Sequence, residues 1–201
     1  MQLVLASNNA KKLAELQALL APTGVQLITQ GSLGIAEAEE PHITFIENAL
    51  AKARHAAQHA GLPAIADDSG LCVDALGGAP GVLSARYATL FGRAKSDESN
   101  NAVLLDNLAH QADRRARFVC ALVAVRTAQD PEPLVALGRW EGEVLTQPQG
   151  EGGFGYDPLM FIPSLGQAVA QLSAVQKNAL SHRAMATAQM LALMREVWRL
   201  G

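Results

Sequence analysis

Ala64-Ile65-Ala66-Asp67-Asp68-Ser69-Gly70-Leu71 is a short apolar run that ends in two carboxylates, a hydroxyl and a glycine before apolar sequence resumes. Buried strands of about four to eight residues read this way, and Gly61 and Pro63 mark the start. The expectation is a strand with Asp67 and Asp68 at its end, on stiff backbone at the edge of a low-dielectric core. Hard cations such as Mg²⁺ take oxygen ligands in such places, usually one or two carboxylates plus substrate phosphates. The same pair would also serve to cap a turn, because Asx side chains bond their own backbone. The flanking sequence has to decide between the two.

The chain has 201 residues, enough to bury a substantial core in one domain or two small lobes. Hydrophobic residues make up 49% and charged residues 17%, which excludes a disordered chain. A net charge of −3 supplies no global attraction to nucleic acid polymers or to an anionic membrane. Phosphate recognition therefore falls to a few placed cations and backbone amides. The start, Met1-Gln2-Leu3-Val4-Leu5, lacks the basic region and the apolar length of a signal peptide. No apolar run reaches the length of a membrane span. Cys72 and Cys120 lie in apolar segments and read as buried free thiols of a reducing compartment, so the expected location is cytoplasmic.

Upstream of the central stretch, Thr44-Phe45-Ile46-Glu47 has capping-box spacing and predicts a helix from Thr44 to Ala60, ending at Gly61. Glu47 then reads as a cap. Glu40, in the acidic loop Glu37 to Pro41, is the candidate second carboxylate for a metal, and Lys52 or Arg54 can face it from the helix. Val25 to Ile28 predicts a strand. Leu3 to Ala6 predicts another, followed by a polar turn and a helix carrying Leu13, Leu16, Leu19 and Leu20, which Pro22 and Gly24 stop. Such a strand–turn–helix unit presents free N–H groups and a positive helix end at the turn. Ser7, Asn9, Lys11 and Lys12 sit there as a candidate triphosphate cradle, without the glycines of a P-loop. Simple helix capping by Ser7 or Asn9, with solvated lysines, is the alternative.

Downstream, Gly77 to Val82 is a tight loop followed by Ser84-Ala85-Arg86-Tyr87, and Ser96-Asp97-Glu98 opens a helix through Ala109. Arg117 to Val125 is β-rich, Asp130-Pro131-Glu132-Pro133 turns the chain, and Leu134 to Val144 reads as the antiparallel partner. A hairpin here makes the sheet mixed. In Gly150 to Pro158, four glycines either admit a ligand to the backbone, with Phe154 and Tyr156 stacking on a base, or form a turn before the strand Leu159 to Ile162. Lys177, His182 and Arg183 gather before and inside a last amphipathic helix from Ser181 to Leu200. Cations at a helix start oppose the dipole, so they either turn away or serve a ligand.

Six segments in this order together resemble one family, the inosine/xanthosine triphosphate pyrophosphatases, Ham1-like house-cleaning nucleotide hydrolases. They are Leu5 to Lys12, Thr44 to Ala49, Ala66 to Leu71, Gly78 to Gly81 with Ser84 to Tyr87, Gly153 to Pro158, and Ser181 to Arg183. The resemblance implies an elongated α/β protein spanning residues 1–201, with a mixed β-sheet flanked by helices. It implies two lobes with an active-site cleft between them, and a homodimer. It further implies Mg²⁺-dependent cleavage of dITP, ITP or XTP to the monophosphate and pyrophosphate. By the same likeness Asp68 is the catalytic carboxylate and, with Glu40, a metal ligand. The triphosphate loop falls on Ser7, Asn8, Asn9, Ala10, Lys11 and Lys12. The base-side contacts fall on Ser69, Phe154, Gly155, Tyr156, Asp157, Lys177, His182 and Arg183.

Two positions depart from the family pattern: Gln176 stands where members commonly carry an acid, and Asn8 where some carry glycine. The chemistry suits the residues, since attack of water on phosphorus adds charge to the phosphate oxygens and demands positioned cations and an oriented water. Asp68 or Asp67 would orient that water, with Lys12 and Lys52 on the phosphates. A related pyrophosphatase acting on modified pyrimidine or methylated nucleotides, and a nucleotide-binding module without hydrolysis, are the rival readings.

Overall fold

β1 (Gln2–Leu5) pairs in parallel with β2 (Gln26–Thr29), Leu3 opposite Leu27 and Val4 opposite Ile28. On its other side β1 pairs in parallel with β3 (Ala64–Val73), Val4 opposite Ala64. α1 (Ala10–Leu20) connects β1 to β2, and α2 (Phe45–Ala60) leads into β3. After α3 (Asp97–Asn107) come β4 (Arg115–Val125) and β5 (Leu134–Val144), neighbours in the sheet. β5 pairs antiparallel with β6 (Met160–Ile162), and β6 antiparallel with β7 (Gln167–Ala168). The sheet order is β2-β1-β3-β4-β5-β6-β7, parallel at one edge and antiparallel at the other, with helices flanking it. The mixed α/β architecture is the one expected. α4 (Ala174–Leu180) and α5 (His182–Val197) complete the chain. This computed structural model describes residues 1–21 and 24–199, and the side chains of Lys11 and Lys12 lie outside the described set. The expected stop at Pro22 and the helix end at Leu200 also lie outside it.

The chain forms two compact units. The first comprises Met1–Asp68, Cys120–Gly138 and His182–Gly201, and the second Ser69–Val119 and Arg139–Ser181. In the first unit the strands are buried on both faces. Leu3, Leu5, Ile65, Cys120, Leu122 and Ala124 pack with Leu16, Met190 and Met194. Val4, Ala64, Ala66, Ala121, Val123 and Val125 pack with Ala49, Ala53, Ala56 and Ala57 of α2. Alternation along β1, β3 and β4 thus sends successive residues to opposite cores. Alanines on the inner face of α2 leave its backbone close to the sheet. The core of the second unit is built from Leu71, Val73, Leu104, Leu108, Phe118, Trp140, Tyr156, Leu159 and Met160.

Helix α2 begins and ends where its sequence signals predict. Thr44 is the N-cap and accepts the Glu47 N–H at 3.2 Å, and Gly61 ends the helix. β3, in contrast, does not stop at its carboxylates: it runs unbroken through Asp67, Asp68, Ser69 and Gly70 to Val73. Gly70 reads as a turn but acts as a spacer. A Cβ there would collide with the Gly81 carbonyl and the Ser84 hydroxyl, and that hydroxyl accepts the Leu71 N–H at 2.9 Å. The helix expected from Ser181 begins one residue later as α5, and α4, which was not expected, ends just before it, because Ser181 is extended (φ −67°, ψ 158°) and closes α4. A short 3₁₀ segment, Gly81–Phe91, and the strand β7 carry no strong local signal and were not expected. Neither cysteine is in a disulfide, and Cys120 is buried and Cys72 half-buried. Among the described residues no helix is long and apolar enough to cross a membrane.

Candidate active site

The period of β3 separates its two carboxylates. Asp68 continues the face of Ala64 and Ala66 towards α2, and Asp67 continues the face of Ile65 towards α5. On the α2 side, Lys52 Nζ lies 2.5 Å from Glu40 Oε1 and 3.5 Å from Asp68 Oδ1. Asn48 Nδ2 donates to Asp68 Oδ2 at 3.3 Å. Asn48 and Lys52 are four residues apart on one helix face, so each takes a different oxygen of the same carboxylate. Burial pushes the Lys52 ammonium down, but Asp68, Asp67 and Glu40 outweigh that and hold it above the ordinary lysine value. Arg54, the other candidate cation, instead donates to the Asp130 carbonyl at 3.4 Å.

On the opposite face Arg183, only 1% exposed, is ion-paired through Nη1 with Glu15 of α1 and through Nη2 with Asp67 at 3.5 Å. Desolvation works against its charge, and Asp67 and Glu15 more than compensate, leaving it above the usual arginine value. His182 is buried at the start of α5. The loop after β1 leaves the sheet level with these groups: the Ala6 N–H donates to Ile65 O at 2.9 Å, so Ser7 follows as β3 approaches Asp67. Ser7 Oγ accepts the Asn9 N–H at 3.2 Å, and Asn9 O accepts the Leu13 N–H, opening α1 from Ala10. The side chain of Asn8 rests on Gly31, its Oδ1 2.7 Å from where a Cβ would stand. That contact gives the family's variable position a local role.

The other predicted residues belong to the second unit. Lys177 Nζ lies 2.8 Å from Asp157 Oδ2 and 4.4 Å over the Phe154 ring, and the Phe154 N–H donates to the same carboxylate oxygen at 2.9 Å. Gly153 (φ +75°) passes so close to Asp157 that a Cβ would collide with the carboxylate. The glycine is needed there by the protein's own fold. Gly155 is held at both ends by α3, its N–H by Asp97 at 2.7 Å and its carbonyl by Asn101 at 2.9 Å. Tyr156 is buried in the second core and donates to the Ser84 carbonyl at 2.9 Å; burial pushes its hydroxyl well above the usual range. Ser69 lies half-buried on β3. Of Lys177, His182 and Arg183, Lys177 pairs with Asp157 within the second unit, and Arg183 with Asp67 and Glu15 within the first.

Four partners escaped sequence reasoning. Asn48 was within reach, because the capping box sets the phase of α2 and places it one turn before Lys52. Glu15, Asp97 and Asn101 act on residues 168, 58 and 54 positions away, and nothing local announces them. Gln176 forms a capping box with Ser173, accepting its N–H at 2.9 Å, so the departure from the family's acid falls at a position that takes Gln or Glu alike.

Two carboxylates gathered on one cationic centre form a donor set for a hard divalent ion. Among the described residues no group of three or more His, Cys, Asp or Glu side chains is placed to hold a metal. Glu40 and Asp68 would supply two carboxylates, and a hard cation such as Mg²⁺ usually takes one or two from a protein beside substrate and water oxygens.

The Ham1 family model matches residues 3–193. A dITP/XTP pyrophosphatase from Leptothrix cholodnii is 69% identical over 100% of both chains. One from Methylibium petroleiphilum is 66% identical over 98% of this chain and 99% of its own. A solved HAM1 protein from Coxiella burnetii superposes with a TM-score of 0.91 at 44% identity, covering 98% of this chain and 100% of that one. The Staphylococcus aureus Ham1 protein gives 0.86 at 39% identity, covering 98% and 99%.

Proposed function

The chain belongs to the Ham1 family and is a nucleoside triphosphate pyrophosphatase, and we propose that it hydrolyses non-canonical purine nucleoside triphosphates, dITP and XTP, with Mg²⁺. The products are the nucleoside monophosphate and pyrophosphate. The observation that carries this reading is the Lys52 ammonium shared by Glu40 and Asp68, level with the strand–turn–helix loop after β1.

Glu40 and Asp68 would hold the metal, which when bound neutralises phosphate charge. The chain's own groups do the rest. Asp68 orients the attacking water and accepts its proton, within reach of the core that raises the strength of each charge around it. Lys52, kept protonated by its carboxylate neighbours, opposes the negative charge that builds on the phosphate oxygens. The first N–H groups of α1 and the residues Ser7 to Lys12 receive the triphosphate. Base recognition is assigned to Ser69, Phe154 to Asp157, Lys177, His182 and Arg183. Lys177 offers donors to a 6-oxo purine where adenine would present a donor of its own. A homodimer, a cytoplasmic location and a role in clearing damaged nucleotides belong to the same proposal and rest on the family likeness.

The test is ³¹P detection of products from dITP with Mg²⁺ and again with excess chelator. The reading expects dIMP and pyrophosphate, and no turnover with chelator. Orthophosphate with dIDP as first products, or unchanged turnover in chelator, would overturn it.

A further inference from the structure

We propose that Asn48 is a positioning residue that sets Glu40 and Asp68 relative to one another, an inference that rests on the hydrolytic reading of those carboxylates. Residues 35–42, which carry Glu40, have no regular secondary structure. One face of α2 holds them. His55 Nε2 donates to Ala36 O at 3.0 Å, Lys52 Nζ to Glu40 Oε1 at 2.5 Å, and Asn48 clasps His42 at both backbone atoms. Positions 48, 52 and 55 follow helical spacing, so a single element templates the loop.

Lys52 and Asn48 both also reach Asp68 on the strand, Lys52 as a charge and Asn48 through a matched set of hydrogen bonds. Its Oδ1 accepts the His42 N–H at 3.0 Å, and its Nδ2 donates to His42 O at 3.1 Å and to Asp68 Oδ2 at 3.3 Å. Two N–H donors meet two acceptor oxygens, and the one carbonyl meets a donor. Turning the amide over would set oxygen against oxygen, so the chemistry admits one orientation. The side chain is 1% exposed, where an unmatched polar group is costly. It therefore links the Glu40 loop to Asp68 without carrying charge of its own. Sites of this kind need their groups held within about half an ångström, and the supporting shell supplies that precision.

Three variants separate positioning from packing. Asn48→Ala removes all three bonds. Asn48→Asp keeps the volume and the acceptor for His42 but places oxygen against both Asp68 and the His42 carbonyl. Of the three Asn48 bonds, His42→Pro deletes only the one from the His42 backbone N–H, at an exposed residue. Wild-type enzyme and variants are compared by dITP kinetics with varied Mg²⁺. Hydrogen exchange of residues 36–43 is followed in enzyme free of metal and substrate. In folded Asn48 variants kcat falls by ~10–100-fold, the range for supporting residues of metal sites. KM for dITP moves by less than about threefold, the Mg²⁺ midpoint rises, and the loop exchanges faster. His42→Pro shows the same pattern more weakly. If Asn48→Ala fails to fold, Asn48→Asp and His42→Pro decide the matter alone. Folded variants with kcat and Mg²⁺ midpoint within about twofold of wild type would leave Asn48 as packing and overturn the proposal, while the hydrolytic reading stood. A wild-type enzyme that releases no pyrophosphate would overturn both.

Discussion

A strand turns successive side chains to opposite faces, so Asp67 and Asp68 meet different partners although they are adjacent in sequence. Asp68→Asn keeps the shape of the site and removes the charge that orients water. Turnover is expected to fall by at least ~10²-fold with the melting temperature little changed. Arg183→Ala leaves Asp67 and Glu15 without their buried counter-charge, and should cost about 3–5 kcal/mol in urea unfolding. Lys52 adds a pH signature. Its folded value is raised above the ordinary 10.5, so its stabilisation is fully present below 10.5 and is lost only as the pH rises through the higher folded value. The stability difference between wild type and Lys52→Met should therefore be flat from about pH 6 to pH 10 and shrink only in stronger alkali. A difference that vanished near neutrality would mean the ammonium is not held between the carboxylates. Sequence reasoning singled out Asp68, Glu40 and Lys52 as candidates by residue type, and the fold brings the three side chains together. That reasoning left open which of Asp67 and Asp68 does the chemistry, since that depends on which core each face of the strand meets.

Among the elements, α2 was legible from end to end: a capping box, an alanine face and a terminal glycine are local signals, and each does what local physics requires. β3 was misjudged at its end because Gly70 answers to Gly81 and Ser84, more than ten residues on, and not to its own neighbours. α4 was missed because seven residues are too few to show a helical apolar period, whereas the start of α5 beside Ser181 was legible. α4 offers a direct check on the family's variable position. Gln176→Glu keeps the capping box with Ser173 and adds a carboxylate in the first turn, so the melting temperature should hold or rise slightly, by no more than ~1 kcal/mol of stability. The loop between β4 and β5 is stapled by Asp130, which accepts from Arg126 N at 2.8 Å, Nε at 3.0 Å and Nη2 at 3.0 Å, and from Glu132 N at 3.0 Å. Hydrogen bonding from Arg126 holds its carboxyl at about 2, below the ordinary 3.8. Its contribution is present above 3.8 and is lost as the pH falls towards 2. Asp130→Ala should lower stability by about 1–2 kcal/mol at neutral pH and remove that part of the acid limb of the stability profile, as read by circular dichroism.

At the scale of the whole chain, the turn at Asp130 to Pro133 between two β-rich runs pointed to a mixed sheet, and the sheet is parallel at its β2-β1-β3 edge and antiparallel at its β5-β6-β7 edge. The division into two units was not readable as a boundary, because no linker separates them. Each unit is assembled from discontinuous segments, and the chain passes from one to the other inside β3, after β4 has begun and before β5 ends. A strand cannot lose half its ladder without fraying the rest, so unfolding one unit removes pairing from strands the other needs. Two tryptophans report the outcome. Trp140 is buried in the core of the second unit, and Trp198 packs against the α1–α5 core of the first. In Trp140→Phe the fluorescence follows the first unit alone, and in Trp198→Phe the second. Unfolding in urea should give coincident midpoints in the two variants once each is referenced to its own circular dichroism, the mark of a single cooperative transition. Midpoints separated by more than about 0.5 M urea would show two independently stable units, since typical slopes near 1–3 kcal/mol per molar turn that gap into a real difference in stability.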